Sequence, residues 1–128
     1  MGHSNDAPTR VEIGRRAERL AALYLELRGY RLVEQNLRHG PREIDLIVHR
    51  AGVCAIVEVR FRSRSDFGSP EETVRFRKRR DLLRAGRAYW LSHGRALGRL
   101  RFDLITVRFG ARGLRLRHWK AFLSAGAL

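Results

Sequence analysis

The chain has 128 residues, 44% of them hydrophobic, which suffices for one domain with a modest core and leaves too little for a second. Its 27 Lys and Arg against 13 Asp and Glu give a formal charge of +14 at pH 7, which favours a polyanionic partner, nucleic acid ahead of an anionic membrane surface. A single cysteine, Cys54, excludes an intramolecular disulfide, the start is polar, and no apolar run approaches the roughly 20 residues that span a bilayer; the expectation is a cytoplasmic protein with no membrane partner.

In chain order, Ile13, Ala17, Leu20, Ala21, Tyr24 and Leu27 recur at helical spacing, predicting an amphipathic helix over Val11–Arg28 that Gly29 stops. Tyr30–Arg38 reads as extended, anchored by Leu32 and Leu37, up to the break at His39-Gly40-Pro41. Glu43–His49 and Val53–Arg62 are rich in β-branched residues and predict a hairpin turning at Ala51-Gly52. Ser63–Gly68 carries no periodicity and reads as a mobile loop. Ser69, Pro70 and Glu72 then supply an N-cap, a first-turn proline and a capping-box acid for a helix reaching about Leu91, closed by His93-Gly94. Leu100–Phe109 alternates as a strand, Gly110–Gly113 turns, Leu114–Trp119 returns as a weaker strand, and Ala121–Leu128 is too short to assign. The order α-β-β-β-α-β-β predicts a mixed α/β layer, one domain over residues 11–122, with flexible termini at 1–10 and 123–128. Repeats, low-complexity tracts and linkers are absent from the sequence.

The chemistry is expected in the hairpin, where Asp45 and Glu58 interrupt apolar runs that normally exclude charge. Pairing Arg50 with Val53 places Asp45 opposite Glu58, a destabilising juxtaposition unless a divalent cation sits between the carboxylates. Alternation puts Ile56, Glu58 and Arg60 on one face and Ala55, Val57, Val59 and Phe61 on the other. Two acids across a hairpin, with a cation two positions after the second, is a common layout for a metal-dependent phosphodiesterase.

Gly14-Arg15-Arg16-Ala17-Glu18, Gly29-Tyr30, Glu43-Ile44-Asp45-Leu46-Ile47, Val57-Glu58-Val59-Arg60, Lys78-Arg79-Arg80, Ala88-Tyr89-Trp90-Leu91, Arg101-Phe102-Asp103 and Ala121-Phe122 together carry a family resemblance over nearly the whole chain. In order and spacing the set resembles the YraN-like family of small bacterial proteins. That group is similar to restriction-endonuclease-like nucleases of the PD-(D/E)xK type, and especially to archaeal Holliday-junction resolvases. The resemblance implies a restriction-endonuclease-like core, α-β-β-β-α-β, with a mixed sheet flanked by helices. It implies Asp45 and Glu58 as ligands of Mg²⁺ or Mn²⁺, the Val59 backbone carbonyl as a third, and Glu18 as the acid completing the site.

The lysine of the E-x-K element falls on Arg60, which stays protonated and therefore stabilises charge without acting as a general base. Lys78 is the candidate for a relocated lysine. Arg42 stands where the family pattern has glycine. Among the other acids, Glu18 lies three residues after Arg15, at ion-pair spacing. Glu43 and Asp103 are read as arginine partners rather than metal ligands.

Arg75, Arg77, Lys78, Arg79 and Arg80, with Arg62 and Arg64 at the mouth of the site, are the expected phosphate contacts, giving salt-dependent binding with little sequence preference. His39, His49, His93 and His118 lack metal-ligand spacing, which argues against zinc. The reading is a metal-dependent nuclease acting on DNA, including branched or structured DNA by analogy with resolvases. The resolvase likeness would imply a homodimer, although no stretch of sequence marks a dimer surface. Two alternatives stand beside it: a nuclease-fold nucleic-acid-binding protein weakened or silenced by Arg60, and a basic RNA-associated structural protein whose acids only form ion pairs.

Overall fold

The computed structural model of the chain describes residues 7–62 and 76–124. The element order is α1 (Arg10–Leu27), β1 (Arg31–His39), β2 (Arg42–Arg50), β3 (Val53–Arg62), α2 (Phe76–Tyr89), β4 (Arg99–Gly110) and β5 (Gly113–Leu123). This is the α-β-β-β-α-β-β order the sequence led us to expect, with the last strand running on to Leu123. Ser69, Pro70 and Glu72 of the expected helix start, and the Ser63–Gly68 loop, lie outside the described residues.

Helix α1 opens on a capping box that periodicity alone does not reveal: the Thr9 hydroxyl accepts from the Glu12 N–H at 3.1 Å, and Glu12 accepts from the Thr9 N–H at 3.1 Å. At the far end of α2 the chain widens into a π turn, Trp90–Gly94, and then tightens into a 3₁₀ turn, Arg95–Leu97, before β4. The helical segment therefore continues past the stop expected at His93-Gly94.

The five strands form one sheet in sequential order β1-β2-β3-β4-β5. Only β3 and β4 run parallel, joined by the crossover that contains α2, while the other three pairs are antiparallel. Helix α1 buries Ala17, Ala21, Ala22 and Leu25 against Leu46, Val48, Ala55, Val57, Ile105 and Val107 on one face. Helix α2 buries Leu82, Leu83, Ala85 and Tyr89 against Ile47, Cys54, Ile56 and Phe102 on the other. The alternation expected for β3 holds, with Ile56 under α2 and Ala55, Val57 and Val59 under α1. Cys54 sits in the α2 core, where burial pushes its thiol up to about 11 and leaves it unreactive.

Two backbone details set the geometry. Ala51 and Gly52 both take positive φ, 48° and 76°, as a type I′ hairpin turn requires. Gly86 lets α2 approach the sheet closely, since a methyl group there would stand 2.5 Å from Phe102 Cε1.

Candidate metal centre and its surroundings

The β2–β3 hairpin has the register expected from its turn, Arg50 opposite Val53 through Leu46 opposite Val57, and the ladder stops there. Although both strands continue, Asp45 and Glu58 do not form the next backbone pair. Instead Asp45 turns its carboxylate inward and Oδ2 accepts the Val59 N–H at 2.8 Å. The end of the ladder thus gives Asp45 a fixed position between two strands.

Three acids converge at this point. Glu18 from α1, and Glu43 and Asp45 from β2, each offer a carboxylate oxygen, and these oxygens all lie within 4.8 Å of one another. Glu18 is buried and the other two are half-buried. Glu18 lies on the inner face of α1 beside Ala17 and Ala21, which explains why a charged residue interrupts an apolar stripe. Its Oε1 accepts from Asn36 Nδ2 at 2.8 Å and from Arg15 Nη1 at 3.0 Å. Arg15 also reaches Glu43 Oε1 at 3.2 Å. The Arg15–Glu18 ion pair read from the sequence therefore forms, at the edge of the acid cluster rather than on an open helix face.

Asn36 takes φ 51° in the middle of β1, a conformation that asparagine tolerates better than most residues. That backbone position coincides with the hydrogen bond from its amide to Glu18.

Glu58, 4% exposed, has a different set of partners. Its Oε1 accepts from Arg42 Nη2 at 2.8 Å, and its Oε2 lies 3.1 Å from Arg60 Nη2. Of the two acids expected to hold a cation, Asp45 joins the three-carboxylate group and Glu58 holds two guanidinia. Arg42 Nε and Arg60 Nε are buried without a hydrogen-bond partner, and Arg60 Nη2 meets Glu58 as an ion pair without hydrogen-bond geometry, so donors at this site remain unsatisfied.

The electrostatics of Asp45 are abnormal. Burial, then the nearby Glu58 charge, push its carboxyl far above the usual carboxylate range; the Val59 N–H opposes that rise, and Glu18 adds to it. An acid in this state holds its proton near neutrality unless a cation compensates the charge. Three oxygen donors of this kind suit a hard divalent ion, Mg²⁺, Mn²⁺ or Ca²⁺, better than zinc.

The remaining acid read from sequence, Asp103, pairs with Arg101 as expected, through contacts of 2.8 and 2.7 Å. It takes two further partners from β5, His118 Nε2 at 2.8 Å and the Ala121 N–H at 3.0 Å. Among the basic residues, Arg62 is half-buried at the end of β3, Lys78 and Arg80 are exposed on α2, and Arg79 is half-buried. Arg64, Arg75 and the side chain of Arg77 lie outside the described residues. Asn36, Arg42 and Glu43 join the site without a functional signal in the sequence. Asn36 carries no charge, and Glu43 reads as an ion-pair partner, which it also is. Among the described residues, no helix is long and apolar enough to cross a membrane.

Residues 17–107 match the profile of the Uncharacterised protein family UPF0102. A UPF0102 protein of Anaeromyxobacter dehalogenans (strain 2CP-C) is 38% identical over 120 residues, covering 94% of this chain and 90% of that one. A second, from Chlorobium chlorochromatii (strain CaD3), is 38% identical over 107 residues, covering 84% and 82%. Among solved structures, Pyrococcus furiosus SfsA in complex with Ca²⁺ aligns with 85% of this chain at 12% identity and a TM-score of 0.31, a likeness too low to carry an argument. The match covers 61% of the SfsA chain, so this protein spans about three fifths of that neighbour's length. The profile match and the two relatives agree, and the chain belongs to UPF0102, the family to which its YraN-like motifs point.

Proposed function

We propose that the protein is a divalent-metal-dependent phosphodiesterase acting on DNA, with Glu18, Glu43 and Asp45 holding the cation and Arg42 and Arg60 meeting the scissile phosphate. The observation that carries the reading is the approach of three carboxylates within 4.8 Å, one of them with a strongly raised pKa. Two oxygens on opposite sides of an ion at about 2.1 to 2.4 Å stand about 4.2 to 4.8 Å apart and neighbouring ones closer, so the three carboxylates would draw together around it. A bound Mg²⁺ or Mn²⁺ supplies Lewis acidity and an activated water.

The chain's own groups do the rest. Asp45 would give up its proton to solvent on holding the ion, while the Val59 N–H keeps one of its oxygens in place. Glu58 orients Arg42 and Arg60, whose guanidinia stay partly exposed and can meet a phosphate on which charge develops. Arg60 keeps its proton and stabilises charge; it does not deprotonate water. Glu58 and the Val59 carbonyl are the further ligands that the nuclease resemblance would add, and Lys78 with Arg62, Arg79 and Arg80 would hold the flanking backbone. Preference for branched DNA, and a homodimer to match it, rest on the resolvase resemblance alone.

A second reading is a nucleic-acid-binding protein that keeps the fold and does not cut. It is favoured by Arg60 in place of a lysine and by the engagement of Glu58 with two arginines. End-labelled single-stranded, duplex, flap and four-way-junction DNA, incubated in Mn²⁺ with the parent, Asp45→Ala and Glu58→Ala, separates the two. Cleavage by the parent that Asp45→Ala abolishes supports the enzyme. Binding without cleavage supports the second reading and makes Arg60→Lys the next variant to assay.

A further inference from the structure

At the C-terminal end of α1, away from the acid cluster, a cavity of about 300 Å³ opens between α1, the end of β2 and β5. Tyr24, Arg28, Tyr30, Arg50, His118 and Lys120 line it, so three fixed positive charges and two phenols face one space, with no carboxylate in the lining among the described residues. Its deep wall is built rather than fortuitous. The His118 side chain is 5% exposed and is held from both sides, with Nε2 2.8 Å from Asp103 Oδ2 and Nδ1 3.2 Å from the Tyr24 hydroxyl oxygen. An ionised Asp103 only accepts, which puts a proton on Nε2 and leaves Nδ1 facing Tyr24.

The opposite side of the same carboxylate is shaped by a bulge. Phe102 pairs with Leu123 and Leu104 with Trp119, so Asp103 faces the three residues Lys120, Ala121 and Phe122. Ala121 adopts φ 53°, in the left-handed region that favours glycine, and donates its N–H to Asp103 Oδ1 at 3.0 Å. Bulges of this kind re-aim a side chain. Here the neighbour, Lys120, lines the cavity.

The tyrosine rings already carry cations. The Arg28 guanidinium lies 5.1 Å from the Tyr24 ring centroid, and Arg50 and Arg101 lie 5.7 and 5.9 Å from that of Tyr30. The rings therefore serve as platforms that position guanidinia, not as free surfaces for a stacked base. A cavity about ten times the roughly 30 Å³ share of a water molecule accommodates a phosphate with an attached sugar.

We propose that this cavity is a second binding site, one that takes the dianionic phosphate of a phosphomonoester, either at the end of a nucleic-acid strand or on a free nucleotide. Three cations match a doubly charged terminal phosphate better than a singly charged diester, and Tyr24 and His118 supply the polar inner wall. Tyr24 lies six residues from Glu18 on the same helix, about 9 Å along its axis. A strand end held here is within reach of the acid cluster, but the proposal does not depend on that cluster binding metal.

The test runs in EDTA, which keeps it independent of any nuclease activity. Fluorescence anisotropy compares binding of one labelled single-stranded oligonucleotide carrying a 5′-phosphate, a 3′-phosphate or hydroxyls at both ends. In parallel, AMP and adenosine are titrated directly while the His118 ring resonances are followed by NMR. The parent is set against Arg50→Ala/Lys120→Ala and the charge-matched control Arg112→Ala/Arg115→Ala. A preference of about tenfold for a phosphorylated end identifies a strand terminus as the ligand, and His118 shifts with AMP but not adenosine identify the free nucleotide. In either case the preference disappears in the Arg50/Lys120 variant and persists in the control. The proposal is overturned if neither ligand shows phosphate-dependent binding, if the Arg50/Lys120 variant keeps it, or if the control loses it equally.

Discussion

Asp45 and Asp103 are aspartates of one sheet, the first half-buried and the second fully buried, and their surroundings drive them in opposite directions. Burial raises both. At Asp103 the hydrogen bonds from His118, Arg101 and the Ala121 N–H outweigh burial and hold the carboxyl below its ordinary range. Asp45 has one backbone N–H against burial, Glu58 and Glu18, and rises far above that range. Nearby arginines do not decide the matter, since the guanidinia close to Asp45 are already directed at Glu58 and Glu43. A buried acid whose lone pairs are all answered is part of the architecture. One surrounded by other acids has chemistry still to do.

The comparison can be broken most easily at Asp103. Asp103→Ala leaves Arg101 and His118 without their shared acceptor in the interior and should cost about 3–5 kcal/mol in urea unfolding. Because the folded pKa of Asp103 is depressed, its contribution is complete above the unfolded value of about 3.9 and fades as pH falls through the folded one. The deficit of the variant should therefore shrink in acid.

Asp45 should behave in the opposite sense. Its raised folded pKa makes its contribution complete below about 3.9, and that contribution is lost as pH rises toward the folded value. Metal-free Asp45→Asn should accordingly be more stable than the parent at pH 8, by about 1–2 kcal/mol, with the gain vanishing near pH 4. A destabilised variant at pH 8 would place Asp45 with Asp103 as a structural acid. The smallest effect belongs to Asn36→Ala, which removes the 2.8 Å hydrogen bond to Glu18. It should lower thermal stability by about 1 kcal/mol and weaken Mn²⁺ binding by a similar amount, read by calorimetry.

Much of this arrangement was legible in the sequence because it follows from local period and turn chemistry. Ala51-Gly52 fixed the hairpin register, and alternation set Ile56, under α2, apart from Ala55, Val57 and Val59, under α1. What stayed hidden depends on irregular backbone. The ladder ends at Leu46–Val57, so Asp45 takes the Val59 N–H while its carboxyl stays beside that of Glu58, without the two forming a backbone pair. Asn36 and Ala121 adopt positive φ inside strands, where neither residue type announces it. Strand β5 is an edge strand, mostly exposed, so its hydrophobic alternation is weak and its last residues looked like tail although the strand runs to Leu123. His118 could not be placed because its partners, Tyr24 and Asp103, come from α1 and β4.

The claim that Glu18, Glu43 and Asp45 form a cation site is tested most directly by titrating Mn²⁺ into the metal-free protein by calorimetry at pH 7, in two buffers of different ionisation enthalpy. Saturable binding is expected, with a heat that differs between the buffers by the release of close to one proton, and it is lost in both Asp45→Asn and Glu43→Gln. Saturable binding that survives both substitutions, or no binding by the parent, would contradict it.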